Sequence, residues 1–135
     1  MHHTQSTPWK VYAAIPALGL ITVQTETAHA EMRLFDRLQR YEATHGTTVR
    51  GPTLRVDVFR IRWHKGRLEQ SLALPCTTCR KRLAHYSRRR TKRYGGQHVT
   101  VAYSADNGTM VGPLPLSALP SSKLCSRDRR RWTRP

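Results

Sequence analysis

Leu54–Trp63 reads LRVDVFRIRW, and its alternation of apolar and polar residues decides the fold class. Leu54, Val56, Val58, Ile61 and Trp63 are apolar, with Arg55, Asp57, Arg60 and Arg62 interleaved. A period of two over this length predicts a strand with one face on a core. The alternation slips once at Phe59–Arg60, which predicts a bulge there. His64-Lys65-Gly66-Arg67 then reads as a turn.

Outward from this strand the period changes on both sides. Upstream, Thr27 is placed to cap a helix over residues 28–43. Met32, Phe35 and Leu38–Gln39 recur there at three- and four-residue steps. Downstream, Pro75 suits the first turn of a second helix running to Arg90, with Leu83 and Tyr86 on its inner side. Residues 11–23 favour two short strands broken at Pro16-Ala17-Leu18-Gly19. Val99–Ser104 reads as a strand, Asp106-Asn107-Gly108 as a hairpin turn, and Met110-Val111 as the start of the return strand. Strands, helix, strand, helix, strand, strand is the order of an α/β domain with helices packed on a mixed sheet.

The chain has 135 residues, room for one domain with its own core. Residues 1–10 are polar and read as a mobile lead-in, 11–112 as the folded domain, and 113–135 as a Pro/Ser-rich stretch followed by a basic tail. Lys and Arg number 24 against 8 Asp and Glu, a formal net charge of +16. Such a balance draws polyanions such as nucleic acid or an acidic surface; arginine-rich composition also arises without any binding role. The densest basic runs are Arg88, Arg89, Arg90, Lys92 and Arg93, and Arg129, Arg130 and Arg131 beside Trp132. Cations on a surface with a ring for stacking are the means of holding a phosphate backbone.

No apolar run reaches the length of a membrane span. Three cysteines, two of them at C-x-x-C spacing, fit metal binding in a reducing compartment better than a disulfide framework. That leaves Cys125 over and predicts an intracellular protein, cytoplasmic or nuclear. A competing reading takes residues 11–23, VYAAIPALGLITV, with Ala28-His29-Ala30 as a secretory signal and its cleavage site. Cleavage after Ala30 would remove His29. It would leave a secreted basic protein.

His29-Ala30-Glu31 and Pro75-Cys76-Thr77-Thr78-Cys79 together supply one imidazole, two thiols and a carboxylate. Structural zinc sites take four protein ligands, whereas catalytic ones take three and keep a position open. Cys76 and Cys79 are spaced to share one face of a helix start, where the helix dipole stabilises thiolates. Glu31 lies two residues from His29, so in regular helix the two would point apart. The metal reading therefore requires the backbone to leave helical geometry at His29. Separately, each motif is weak: C-x-x-C also serves structural zinc and redox pairs, and Glu31 is an ordinary first-turn acid.

In combination these stretches resemble the cytidine deaminase-like superfamily, whose signature is H-x-E…P-C-x-x-C. The matching segments are Thr27–Met32 and Ser71–Arg80, with Val56–Trp63 similar to its third strand and Val99–Ser104 to its fourth. The resemblance implies a three-layer α/β/α fold, Zn2+ held by His29, Cys76 and Cys79, and Glu31 as proton shuttle. It implies hydrolytic deamination of a cytosine-type base in a nucleotide or nucleic acid. A catalytically inactive nucleic-acid-binding protein on the same scaffold is the alternative. Histidine in the first motif departs from the free-cytidine deaminases, which usually carry cysteine there. Leu72-Ala73-Leu74 stands where polynucleotide cytidine deaminases have Ser-Trp-Ser and tRNA adenosine deaminases Thr-Leu-Glu. The substrate thus stays open among nucleoside, nucleotide, RNA and DNA.

Overall fold

The computed structural model describes residues 6–46, 49–93, 96–106 and 108–121. It is α/β: a six-stranded mixed sheet with two helices packed on it, consistent with a three-layer α/β/α fold. The elements are β1 (Lys10–Ile15), a 3-10 turn (Pro16–Leu18), β2 (Leu20–Val23), α1 (Ala30–His45), β3 (Thr53–His64), β4 (Arg67–Ser71), α2 (Thr77–Arg93), β5 (His98–Ser104) and β6 (Met110–Pro115). A second 3-10 turn follows at Leu116–Ala118. Strand order is β2-β1-β3-β5-β6, and only the β3–β5 pair is parallel.

β3 is the spine of the sheet, as its alternation predicts. Along one edge it pairs with β1 from Asp57 to Ile61. Along the other it pairs with β5 from Thr53 to Val58, then with β4 from Arg60 to His64. β4 is absent from the sequence reading, because RLEQS has little strand propensity. It forms because Lys65 (φ 51°) and Gly66 (φ 75°) both take left-handed backbone, the geometry of a two-residue hairpin turn.

The bulge expected at Phe59–Arg60 does not occur. Pairing with β1 runs without interruption through Tyr12↔Phe59 and Val11↔Arg60. Leu54, Val56, Val58, Arg60 and Arg62 therefore share one face, and the apparent slip is an arginine kept in register. The register shift lies instead between β5 and β6, where Val101 faces Leu114 and Tyr103 faces Val111. One extra residue on β6 makes that bulge, and Gly112 (φ 102°) sits in it.

The core lies between this face and the helices. Leu54, Val56, Val58, Val99 and Val101 from the sheet meet Leu34, Phe35 and Leu38 from α1 and Leu83 from α2. Burying each large apolar side chain contributes about 1.5–3 kcal/mol. Leu34, rather than Met32, takes the first large core position of α1; Met32 is half-buried. The helices touch each other through a stack of Phe35 on Tyr86, ring centroids 4.5 Å apart.

Both termini of the described chain join the fold more than composition predicts. Thr7 exchanges hydrogen bonds with the backbone of Trp63, and Trp9 packs beside β3. At the other end β6 runs to Pro115 and Leu119 is buried, past the boundary expected at 112. Residues 11–23, read above as strands or as a signal, form β1 and β2, and Ala13 and Ile15 are fully buried in the core. No helix among the described residues is long and apolar enough to cross a membrane.

Candidate metal centre

His29 is the residue on which the metal reading depends, and it lies just outside α1. It is the N-cap, with φ −70° and ψ 150°, and its carbonyl accepts the first helical bond from Arg33 at 3.1 Å. The extended backbone there resolves the conflict between His29 and Glu31: one is outside the helix and the other in its first turn. Thr27, expected as the cap, belongs to the preceding loop. That loop is closed by Thr25, whose N–H donates to the Ala28 carbonyl and whose hydroxyl accepts from the Ala28 N–H. Thr22 on β2 donates to the Ala30 carbonyl at 2.7 Å and ties the helix start to the sheet.

The second segment is held from β5. The Ser104 hydroxyl donates to the Ser71 carbonyl at 2.6 Å and accepts from the Arg60 N–H at 3.0 Å, at the point where β4 takes over from β5. Ala73 N–H donates to the Ser104 carbonyl, and Asp106 accepts from the Leu72 N–H. These bonds lay residues 71–74 along the end of β5. Pro75 then turns the chain into α2, with the Cys76 carbonyl accepting from the Arg80 N–H at 2.9 Å. Cys76 thus stands at the start of α2 and Cys79 within its first turn.

The two helix starts meet at one end of the sheet. His29 Nδ1 lies 3.0 Å from Cys79 Sγ and 3.5 Å from Cys76 Sγ. One ligand atom from each of the three residues falls within 4.8 Å of the others. Cys79 is buried and Cys76 half-buried, and both are free thiols. An imidazole and two sulfurs so grouped could hold a metal ion.

The thiols are electrostatically unlike. A hydrogen bond from Cys79, stronger than the opposing effect of burial, and the nearby His29 hold Cys76 down to about 4. The same bond, together with burial and the Glu31 charge, pushes Cys79 up. Cys76 is therefore the thiol of the pair that ionises first, and a thiolate is the form that ligates. Burial pushes the Glu31 carboxyl up from its ordinary value, against a backbone hydrogen bond and the His29 charge that favour ionisation.

A cavity of about 340 Å³ opens onto these residues, lined by His29, Glu31 and Cys76 together with Trp9, Val58 and Arg60. The volume suits a small molecule. Trp9 and Arg60 were not among the sequence candidates. The signal for Arg60 was present, since a charged residue two positions beyond Val58 on the core face marks where the core stops.

The basic segment stands elsewhere. Arg88 lies roughly 18 Å along the helix axis from Cys76, at 1.5 Å per residue. Arg88, Arg89, Lys92 and Arg93 are exposed on the far half of α2. Arg90 is not: its guanidinium is buried and bonded to Glu42 and Gln97. Of the nucleic-acid candidates, Arg90 is thus a packing residue, because an internal carboxylate claims it. Arg129, Arg130 and Arg131 lie outside the described residues, as do Trp132 and Cys125. No family model, curated protein or solved structure matches the chain.

Proposed function

We propose that the chain is a zinc-dependent hydrolytic deaminase of a cytosine-type base in a nucleotide or nucleic acid. One observation carries the reading. Three soft-to-borderline ligands from two helix starts converge beside a buried carboxyl, and His29, Cys76 and Glu31 among them border one small-molecule cavity. The donor set fits zinc, which takes imidazole nitrogen and thiolate sulfur, and three protein ligands are the number that leaves a position for chemistry. Zinc bound there supplies the Lewis acidity that makes water a usable nucleophile near neutral pH.

The chain's own residues account for the proton path. Glu31 takes a proton from the attacking water and delivers it to the ring nitrogen adjoining the amino-bearing carbon. It then assists proton transfer to the amino group, which leaves as ammonia while the carbon becomes a carbonyl. A carboxyl raised by burial is suited to hold that proton between the two transfers. Val11, Val58 and Leu74 line the cavity and offer apolar surface to the ring.

The net charge of +16 and the exposed Arg88, Arg89, Lys92 and Arg93 support an anionic partner. Formation of β1 and β2 from residues 10–23, with His29 beyond them, supports a working chain that retains this segment. The test is native mass spectrometry of the full chain, followed by assay of base deamination. One zinc per chain, lost on His29→Ala, with uracil formed from a cytosine substrate, is the expected result. A chain with no metal and no turnover would instead favour a basic binding protein on this scaffold.

A further inference from the structure

Arg60 and Trp9 form a structured wall in the cavity that holds His29, Glu31 and Cys76. The guanidinium carbons of Arg60 and Arg62 lie 5.1 and 4.5 Å from the centre of the Trp9 ring. The two arginines differ in what else they meet. Arg62 is paired with Glu69 at 2.8 Å. Among the described residues no carboxylate is within ion-pair distance of Arg60. Arg60 is half-buried, and it borders the cavity alongside Val11, Val58 and Leu74.

We propose that Arg60, seated on Trp9, binds a phosphate of the substrate, so that the cavity takes a nucleotide unit in preference to a neutral nucleoside. This rests on the deaminase reading of the same site. A partly buried cation among apolar neighbours is stabilised by an anion, and among the described residues no carboxylate comes within ion-pair distance of this one. An aromatic face holds a guanidinium in place while leaving its N–H donors free at the edge. Those donors form the planar fork that matches two phosphate oxygens. The position is enforced by the fold. Arg60 pairs with Val11 across β1 and with Ser71 across β4, so its side chain stays on the face where the helices and the cavity lie.

The experiment uses the full chain loaded with zinc and carrying Glu31→Gln, which prevents turnover during titration. Cytidine, cytidine 5′-monophosphate and a short single-stranded oligonucleotide with one cytosine are titrated by calorimetry, with and without Arg60→Gln. Glutamine keeps a stem on Trp9 without the charge; Arg60→Lys is the second variant, keeping charge without the fork. The expected result is monophosphate binding at least ten-fold tighter than cytidine, a preference abolished by Arg60→Gln and partly kept by Arg60→Lys. Oligonucleotide affinity equal to that of the monophosphate assigns a free nucleotide. A tighter, steeply salt-dependent oligonucleotide complex assigns a strand. Either supports the proposal. Equal affinity for cytidine and its monophosphate, absence of binding by all three, or a preference that survives Arg60→Gln overturns it. Turnover with Glu31 intact is read separately. Deamination of cytidine and its monophosphate at equal kcat/KM removes the phosphate site and leaves the deaminase. An Arg60-dependent phosphate preference without turnover removes the deaminase and leaves the phosphate site.

Discussion

Arg90 on α2 grips Glu42 on α1 with two hydrogen bonds, 2.8 and 3.1 Å long, and both side chains are almost wholly buried. The same guanidinium donates to Gln97 at 2.7 Å, and Gln97 in turn donates to the carbonyls of Val49 and Gly51. This network fastens the ends of the two helices whose opposite ends carry the candidate metal ligands. Leaving one member of a buried ion pair without its partner costs about 3–5 kcal/mol. Arg90→Ala should therefore lower unfolding free energy by about that amount in urea titration, whereas Arg88→Ala and Arg89→Ala should stay within about 0.5 kcal/mol of the parent. Equal small effects at all three positions would remove the structural role assigned to Arg90.

Gly112 makes a second prediction, this time about backbone. Its φ is 102°, and an added Cβ would stand 2.8 Å from the Val101 carbonyl oxygen and 3.0 Å from the Leu114 nitrogen. Neither atom can move without opening the β5–β6 ladder. Gly108 also has positive φ, at 81°, but a Cβ there meets nothing within 4 Å. Gly108→Ala should cost about 1 kcal/mol from backbone strain alone, and Gly112→Ala about 2–3 kcal/mol or more. Thermal unfolding of the two variants side by side measures the difference; equal losses would mean that the close approach is relieved.

The contrast between Leu54–Trp63 and Arg67–Ser71 shows how far sequence carried the fold. β3 is legible because its first half buries alternate residues, Leu54, Val56 and Val58, so burial writes a period of two there. β4 is not, because it owes its place to a turn and to pairing with β3, and Leu68 is largely exposed. The candidate metal ligands were legible as residue types. Their convergence was not, since it depends on the backbone of His29 and on bonds from Ser104 and Asp106 that no local pattern announces. Arg90 shows the opposite limit: within a run of basic residues, charge hides the one that is buried. Arg60 was misread as a bulge because an arginine on a core face is indistinguishable, in one dimension, from a slip of register.

Cys76 carries the third prediction. In metal-free chain its thiol is held down to about 4, chiefly by the Cys79 hydrogen bond, so it remains thiolate throughout the neutral range. An ordinary thiol titrating near 8.5 loses thiolate by roughly 80-fold between pH 8 and pH 6. Alkylation of Cys76, followed by peptide mass mapping after chelation of metal, should change by less than about two-fold over that interval. Saturating zinc should block it. A rate that falls with pH like that of a free model thiol would show that Cys76 is not held as a thiolate.

Glu31→Gln separates chemistry from folding at the same position. Burial raises the folded-state pKa of Glu31 above the unfolded value of roughly 4.3. A group shifted in that direction favours the folded state while protonated, and this contribution is lost as pH rises from the unfolded value through the folded one. Glutamine is neutral at every pH and loses nothing. Metal-free Glu31→Gln should therefore match the parent in stability below about pH 4 and exceed it at pH 7, as followed by urea unfolding across that range. With zinc bound, the same variant should keep one metal per chain, because His29, Cys76 and Cys79 are intact. Its deamination rate should nonetheless fall by about 10²- to 10⁴-fold, the contribution of a positioned proton-transfer group. A stable, zinc-loaded variant with undiminished turnover would take the proton path away from Glu31. A variant that loses zinc would make the carboxyl a support for the metal instead.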